Sequence, residues 1–246
     1  AIAERWGVMP YPFYLGVAIA VSGLIISAIW VKDTKWHITQ EASGSTMRKL
    51  NNIFKETTFK DKVLSTITQA GFINNFNDGM IWGLLPVALY QAHFRQEKAG
   101  IIAATYPLVW GVGQLFTGRL SDRANKRIIL SWGMLLQALA ILFMVVANDF
   151  ISLLLLSALL GVGTAMVYPT FLAAIAAYSF PLQRAESLGV FRFWRDMGYA
   201  VGALCSGLLA DWFGLYAAFC FTGLLTATSA LLIWRRLPAH TTENKS

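Results

Sequence analysis

Seven stretches of the chain are apolar for long enough to cross a hydrocarbon core, which takes about 20 residues of helix. They run near 12–30, 63–90, 99–118, 128–147, 151–178, 188–209 and 214–234. Within each run the apolar residues are continuous rather than alternating, which predicts helices and argues against a transmembrane barrel. The expected fold class is therefore an all-α integral membrane protein with seven transmembrane helices. One long polar segment, 32–62, separates the first run from the rest. Inside it Met47, Leu50, Ile53 and Phe54 recur at helical spacing among Arg48, Lys49, Lys55 and Lys60. That pattern fits a short basic helix lying on the inner leaflet, and equally a solvated linker.

Composition agrees with this class. A chain of 246 residues that is 56% hydrophobic and 13% charged has too much apolar surface for one water-soluble core. The net charge of +7 would point to nucleic acid in a soluble protein, but here the placement of the charges matters more than their sum. If the turn at 118–127 is cytoplasmic, then 31–62, 119–127, 184–195 and 235–246 are too, and together they hold 17 of the 20 Lys and Arg residues. Arg5, Arg95 and Lys98 remain for the opposite side. The positive-inside rule then puts the N-terminus outside and the C-terminus in the cytoplasm of a multi-pass inner membrane protein, with lipid and no nucleic acid as its surroundings.

Four polar side chains sit near the middle of the second run, in Gly71-Phe72-Ile73-Asn74-Asn75-Phe76-Asn77-Asp78-Gly79-Met80. An ionised Asp at the bilayer centre costs about 2.5 to 3.5 kcal/mol on insertion scales, so such a residue faces a cavity or a partner. Asp78 is the leading site candidate. At 100° per residue Asn74, Asn77 and Asp78 share one helical face and Asn75 points elsewhere. The functional reading has Asp78 binding a proton or a cationic solute while the amides orient the solute; the plain alternative is a polar cluster that glues helices. Gly71, Gly79 and Pro86 would let this helix bend. Gln137 is a further candidate at depth, with Gln114, Tyr106-Pro107 and Tyr168-Pro169 read mainly as packing, and Trp82, Trp110 and Trp132 as cavity walls or interface anchors. Gly198, Gly202, Ser206 and Ala210 recur every four residues and predict a close helix contact.

Other chemistries find no support. There is no P-loop, no Ser/His/Asp arrangement, and His37, His93 and His240 all fall outside the spans, so no enzyme, metal or cofactor is expected. Cys205 and Cys220 lie inside apolar runs and read as small hydrophobes rather than a disulfide framework.

The remaining motif is Gly118-Arg119-Leu120-Ser121-Asp122-Arg123-Ala124-Asn125-Lys126-Arg127. Its pattern, Gly-x-Leu-x-Asp-Arg-x-x-Lys-Arg, resembles motif A of the major facilitator superfamily of secondary transporters, a cytoplasmic loop between the second and third helices of each half. The family usually has Gly where Asn125 stands, and Asn also tolerates a left-handed backbone, so a tight turn is expected there. A likeness between Glu4-Arg5-Trp6-Gly7 with Tyr11 to Trp30, and Asp211-Trp212-Phe213-Gly214 with Tyr216 to Trp234, suggests an internal repeat.

The resemblance implies that the seven runs match helices six to twelve of a twelve-helix fold. The expected organisation is 1–31 as the last helix of the N-terminal half, 32–62 as the inter-half linker, 63–237 as the C-terminal six-helix bundle and 238–246 as a cytoplasmic tail. On this reading the first five helices are missing; a self-contained seven-helix protein is the other possibility. The resemblance also implies that Gly118, Asp122, Arg123, Lys126, Arg127 and Glu186 form a gating network, with Asp122 capping a helix of the other half and Arg123 paired with an acid such as Glu186. The implied function is alternating-access transport of a small solute, coupled to H+ and directed outward for drugs or metabolites. Uptake of an organic solute, or a non-transporting seven-helix receptor or scaffold, are the alternatives.

Overall fold

The computed structural model describes residues 11–30, 35–45 and 47–239, apart from the side chains at 11, 12, 35–37, 122 and 123. The N-terminal Glu4-Arg5-Trp6-Gly7 copy of the repeat lies outside these residues. The chain forms two compact units, 1–44 and 45–246. The first holds α1 (Tyr11–Trp30) and α2 (Lys35–Gly44). The second opens with α3 (Ile53–Lys55), continued by a π turn at Glu56–Lys60, and then has six long helices. These are α4 (Lys62–Gln91), α5 (Gln96–Arg123), α6 (Lys126–Met144), α7 (Phe150–Tyr178), α8 (Arg184–Phe213) and α9 (Leu215–Arg236).

All seven predicted runs are helices, and the described residues contain no strand. Five, α1, α5, α6, α7 and α9, are long and apolar enough to cross a membrane. The other two, α4 and α8, have the length at 30 residues each. They fall short in apolar composition because of their own Asn, Asp, Arg and Glu residues.

Local chemistry fixes where these helices start. Asp61 caps α4, its Oδ1 accepting from the backbone N–H of Val63 at 2.9 Å and of Leu64 at 2.8 Å. Asn125 caps α6 and Asp149 caps α7 in the same manner, each oxygen taking a helix N–H that would otherwise be orphaned. Gly214, at φ +87°, makes the sharp joint between α8 and α9, a backbone conformation that L side chains rarely adopt.

The helices pack as two tight pairs, α4 against α8 and α5 against α7, with α6 behind α7 and α9 bridging α6 to α4. Glycines set the closeness of these pairs. A Cβ on Gly198 would run into the backbone of Phe72, one on Gly202 into that of Phe76, and one on Gly79 into the carbonyl of Tyr199. The small-residue stripe thus serves backbone-to-backbone contact between α4 and α8. The glycines and Pro86 do not break α4, which runs uninterrupted; Gly71 instead receives the ring of buried Phe191. Cys205 and Cys220 are free and half-buried.

The polar segment differs from the expected helix around Met47 to Phe54. Residues 47–52 are not helical, whereas 35–44 and 53–60 are. Here the chain is strapped to the bundle by Gln183, which accepts from the Leu50 N–H and donates to the Leu50 carbonyl, both at 2.9 Å. Leu50 is buried in the core, and Trp194 of α8 donates to Thr58 Oγ1 at 3.0 Å.

Candidate functional site

The charged motif is helix rather than loop. Gly118 to Arg123 complete α5, Lys126 and Arg127 begin α6, and only Ala124 and Asn125 lie between. Asn125 has φ −65° and ψ 112°, so it is an extended N-cap and not the left-handed residue expected. Its Oδ1 accepts from Arg127 N–H at 2.9 Å and its Nδ2 donates to the Ala239 carbonyl. The cap removes any need for positive φ, because an Asn side chain supplies the hydrogen bond that a tighter turn would have made through backbone. Lys126 is buried, and the Arg127 guanidinium lies 4.4 Å from the Trp234 ring centre, a cation–π contact across to α9. Glu186 is exposed in the first turn of α8. The side chains of Asp122 and Arg123, and with them the pairing expected of each, lie outside the described residues.

In the middle of α4 the expected set Asn74, Asn77, Asp78 and Gln137 divides in two. Gln137, from α6, donates to Asn74 Oδ1 and accepts from Asn77 Nδ2, both at 3.0 Å. Thr226 of α9 donates to Asn77 Oδ1 at 2.8 Å, and Asn74 Nδ2 donates to Asn75 Oδ1 at 3.2 Å. Each of the three amides is 1% exposed and has both its ends engaged.

Asp78, one position on from Asn77, turns to the other pair of helices. It is buried, and its Oδ1 accepts a hydrogen bond from the Tyr106 hydroxyl of α5. That hydroxyl lies 3.4 Å from Thr164 Oγ1 of α7. No other hydrogen bond to Asp78 is present among the described residues. The 100° step between adjacent helical residues suffices to send Asn77 toward α6 and α9 and Asp78 toward α5 and α7. Sharing a broad face of α4 therefore does not put them in one group.

From Tyr106 a row of aromatic rings continues across the bundle. Trp110 stacks on Tyr106 with centroids 6.1 Å apart, and Tyr168 of α7 follows at 5.4 Å from Trp110. Arg195 of α8 closes the row with its guanidinium 5.4 Å from the Tyr168 ring centre and its Nη1 donating to the Tyr168 hydroxyl at 3.0 Å. Trp82 lies beside Tyr106 at 6.2 Å and is exposed. Trp132 is also exposed, on the α6–α9 face beside Trp234. Sequence reasoning missed Tyr106, Thr164, Tyr168 and Arg195 as a group. The signal lay in Tyr106-Pro107 and Tyr168-Pro169, two amphipathic rings at matching depth.

A cavity of about 430 Å³ lies away from this site, lined by Leu85, Leu89, Met144, Asn148, Tyr216 and Phe219 among others. It shares no residue with the Asp78 group. No cluster of His, Cys, Asp and Glu suited to a metal occurs among the described residues.

Comparisons with known proteins accord with this architecture. Inner membrane transport protein YnfM of Escherichia coli is 28% identical over 158 residues, 63% of this chain and 37% of that protein. The quinolone resistance protein NorA of Staphylococcus aureus is 26% identical over 133 residues, 54% of this chain and 34% of that one. The chain spans less than half the length of these curated relatives. A bacterial homologue of the human lysosomal transporter Spinster, solved inward-facing and occupied, shares the fold with a TM-score of 0.60 at 19% identity, covering 76% of this chain and 47% of that chain. The family model of the Major Facilitator Superfamily matches residues 67–246, and the chain belongs to that superfamily.

Proposed function

We propose that this chain works in a secondary active transporter that exports a small organic solute, a drug or metabolite, in exchange for protons. The observation that carries the reading is Asp78, a buried carboxyl at the middle of a long helix, held by the Tyr106 hydroxyl where α4, α5 and α7 meet. Protonation of a carboxyl in that setting relieves the cost of a lone charge away from water, so Asp78 can carry the coupling proton. Outward direction draws on the resistance function named for NorA. In this reading Asn74, Asn77 and Gln137, whose donors and acceptors are spent on one another, hold α4, α6 and α9 together rather than contact solute.

In this proposal α4 and α8 also cross the membrane, with 1–31 and 63–237 as parts of two halves, 32–62 between them and 238–246 as a cytoplasmic tail. The N-terminus is outside and the C-terminus in the cytoplasm. Helices one to five of the N-terminal half complete the cavity. Gly118, Asp122, Arg123, Lys126, Arg127 and Glu186 form the contacts that rearrange as one half rocks against the other. The test is flux driven by an imposed pH gradient, with the whole native protein in proteoliposomes and a panel of aromatic drugs and organic acids. Solute export that collapses with the gradient and with Asp78→Asn is expected. Flux indifferent to both would overturn the reading.

A further inference from the structure

The proposed solute path contains a cation that proton exchange at Asp78 does not use. Arg195 enters the middle of the bundle from α8 with a side chain only 16% exposed. Taking a guanidinium this far from water is costly unless its donors are met. The structure meets them in two ways. Nη1 donates to Tyr168 at 3.0 Å, while Nε at 2.8 Å and Nη2 at 2.7 Å both donate to Oδ1 of the adjacent Asp196. Asp196 is itself 63% exposed. Both bonds converge on one oxygen of Asp196, whereas Arg holds a carboxylate most strongly when two parallel N–H groups meet its two oxygens, a geometry a free carboxylate could adopt here. The fork's present occupant can return to water, being 63% exposed, and the cost of uncovering Arg195 is offset only when another carboxylate takes its place.

Beside that fork stand Tyr168, Trp110 and Tyr106, spaced 5.4 Å and 6.1 Å apart. Tyr168 and Trp110 are half-buried rather than sealed into the core. The indole N–H of Trp110 has no hydrogen-bond partner among the described residues. An aromatic wall of this length offers stacking area, an orphan donor offers polarity, and a guanidinium at one end offers charge selection.

We propose that this row is a binding site for an aromatic carboxylate of the arylacetate type. The carboxylate takes the Arg195 fork in place of Asp196, and the ring lies along Trp110 and Tyr168. The inference rests on the transporter reading for its purpose but not for its measurement. It makes the exported solute an organic anion rather than a cation, with Arg195 as the selecting residue and Asp196 as an internal competitor.

The experiment is calorimetric binding of phenylacetate, phenethylamine and acetate to the intact native protein in lipid nanodiscs, with no proton gradient. Saturable binding of phenylacetate is expected, with acetate and phenethylamine at least about tenfold weaker, the loss expected when a charge-assisted fork or an aromatic contact is missing. Arg195→Gln should weaken phenylacetate at least about tenfold, and Arg195→Lys, which keeps charge but loses the fork, should fall between. Asp196→Asn should tighten phenylacetate several-fold by removing the competitor. A merely structural Arg195–Asp196 pair predicts the opposite for Asp196→Asn, namely no change or a loss. Preference for phenethylamine, or weaker phenylacetate binding in Asp196→Asn, overturns the site. Binding without coupled flux would leave this site standing and remove the exporter reading; coupled flux without phenylacetate binding would do the reverse.

Discussion

Asn77 and Asp78 are neighbours on one helix and both are buried, yet they belong to unlike surroundings. Asn77 sits in a group of amides that spend their donors and acceptors on one another, between α4, α6 and α9. Asp78 looks toward α5 and α7, has one hydrogen bond among the described residues, and meets the buried Tyr106 at the head of a row that continues through half-buried Trp110 and Tyr168 to a cation. A polar group whose bonds are all made within the bundle holds helices in register; one left with spare capacity beside accessible rings is placed to meet a ligand. Depth in the membrane and residue type are the same clue in both cases, and only the count of satisfied bonds separates them.

The largest expected effect breaks the contrast at Asp78. Asp78→Asn keeps the shape and the ability to accept from Tyr106 but removes the ionisable group, so pH-driven flux should fall to background while thermal stability in detergent changes by less than about 1 kcal/mol. Gln137→Leu should do the converse. It leaves Asn74 Oδ1 and Asn77 Nδ2 buried and unsatisfied, and should cost about 2 kcal/mol in reversible unfolding from mixed micelles while residual folded protein still transports. If Gln137→Leu stops flux at unchanged stability, the amides contact solute and the contrast fails.

The long helices were legible in the sequence because lipid demands continuous apolar character and unbroken backbone hydrogen bonding, and no other pattern satisfies both. That α8 makes a close helix contact was legible too, from Gly198 and Gly202 at a spacing of four, but nothing in the stripe named α4 as its partner. What the sequence hid was direction. Asn74, Asn77 and Asp78 lie on one broad face, and which neighbour each meets depends on where α5, α6, α7 and α9 stand around α4. Arg195 was hidden for a related reason: in a segment with Arg184, Glu186 and Arg192 it read as one more charge at a helix end, whereas it lies about three turns into α8. Gly71, Gly79 and Pro86 read as points of bending, but close packing against α8 uses Gly71 and Gly79, and lipid-embedded helices accommodate an internal Pro.

The smallest effect applies the same rule outside the bundle centre. Asn125 spends its amide on structure, with Oδ1 on the Arg127 N–H and Nδ2 on the Ala239 carbonyl. A left-handed turn and an extended N-cap predict different orders for its replacements. Were the backbone left-handed, Asn125→Gly would stabilise and Asn125→Ala would suffer from strain as well as the lost bond. With the extended cap at φ −65°, Asn125→Ala should cost about 1 kcal/mol and Asn125→Gly only a few tenths. Asn125→Asp, which keeps an oxygen for Arg127 and sets a carboxylate at the positive end of α6, should fall closest to the native protein. Unfolding midpoints of the three variants, measured side by side, decide between the two backbones; a midpoint for Asn125→Gly above that of the native protein would restore the left-handed turn.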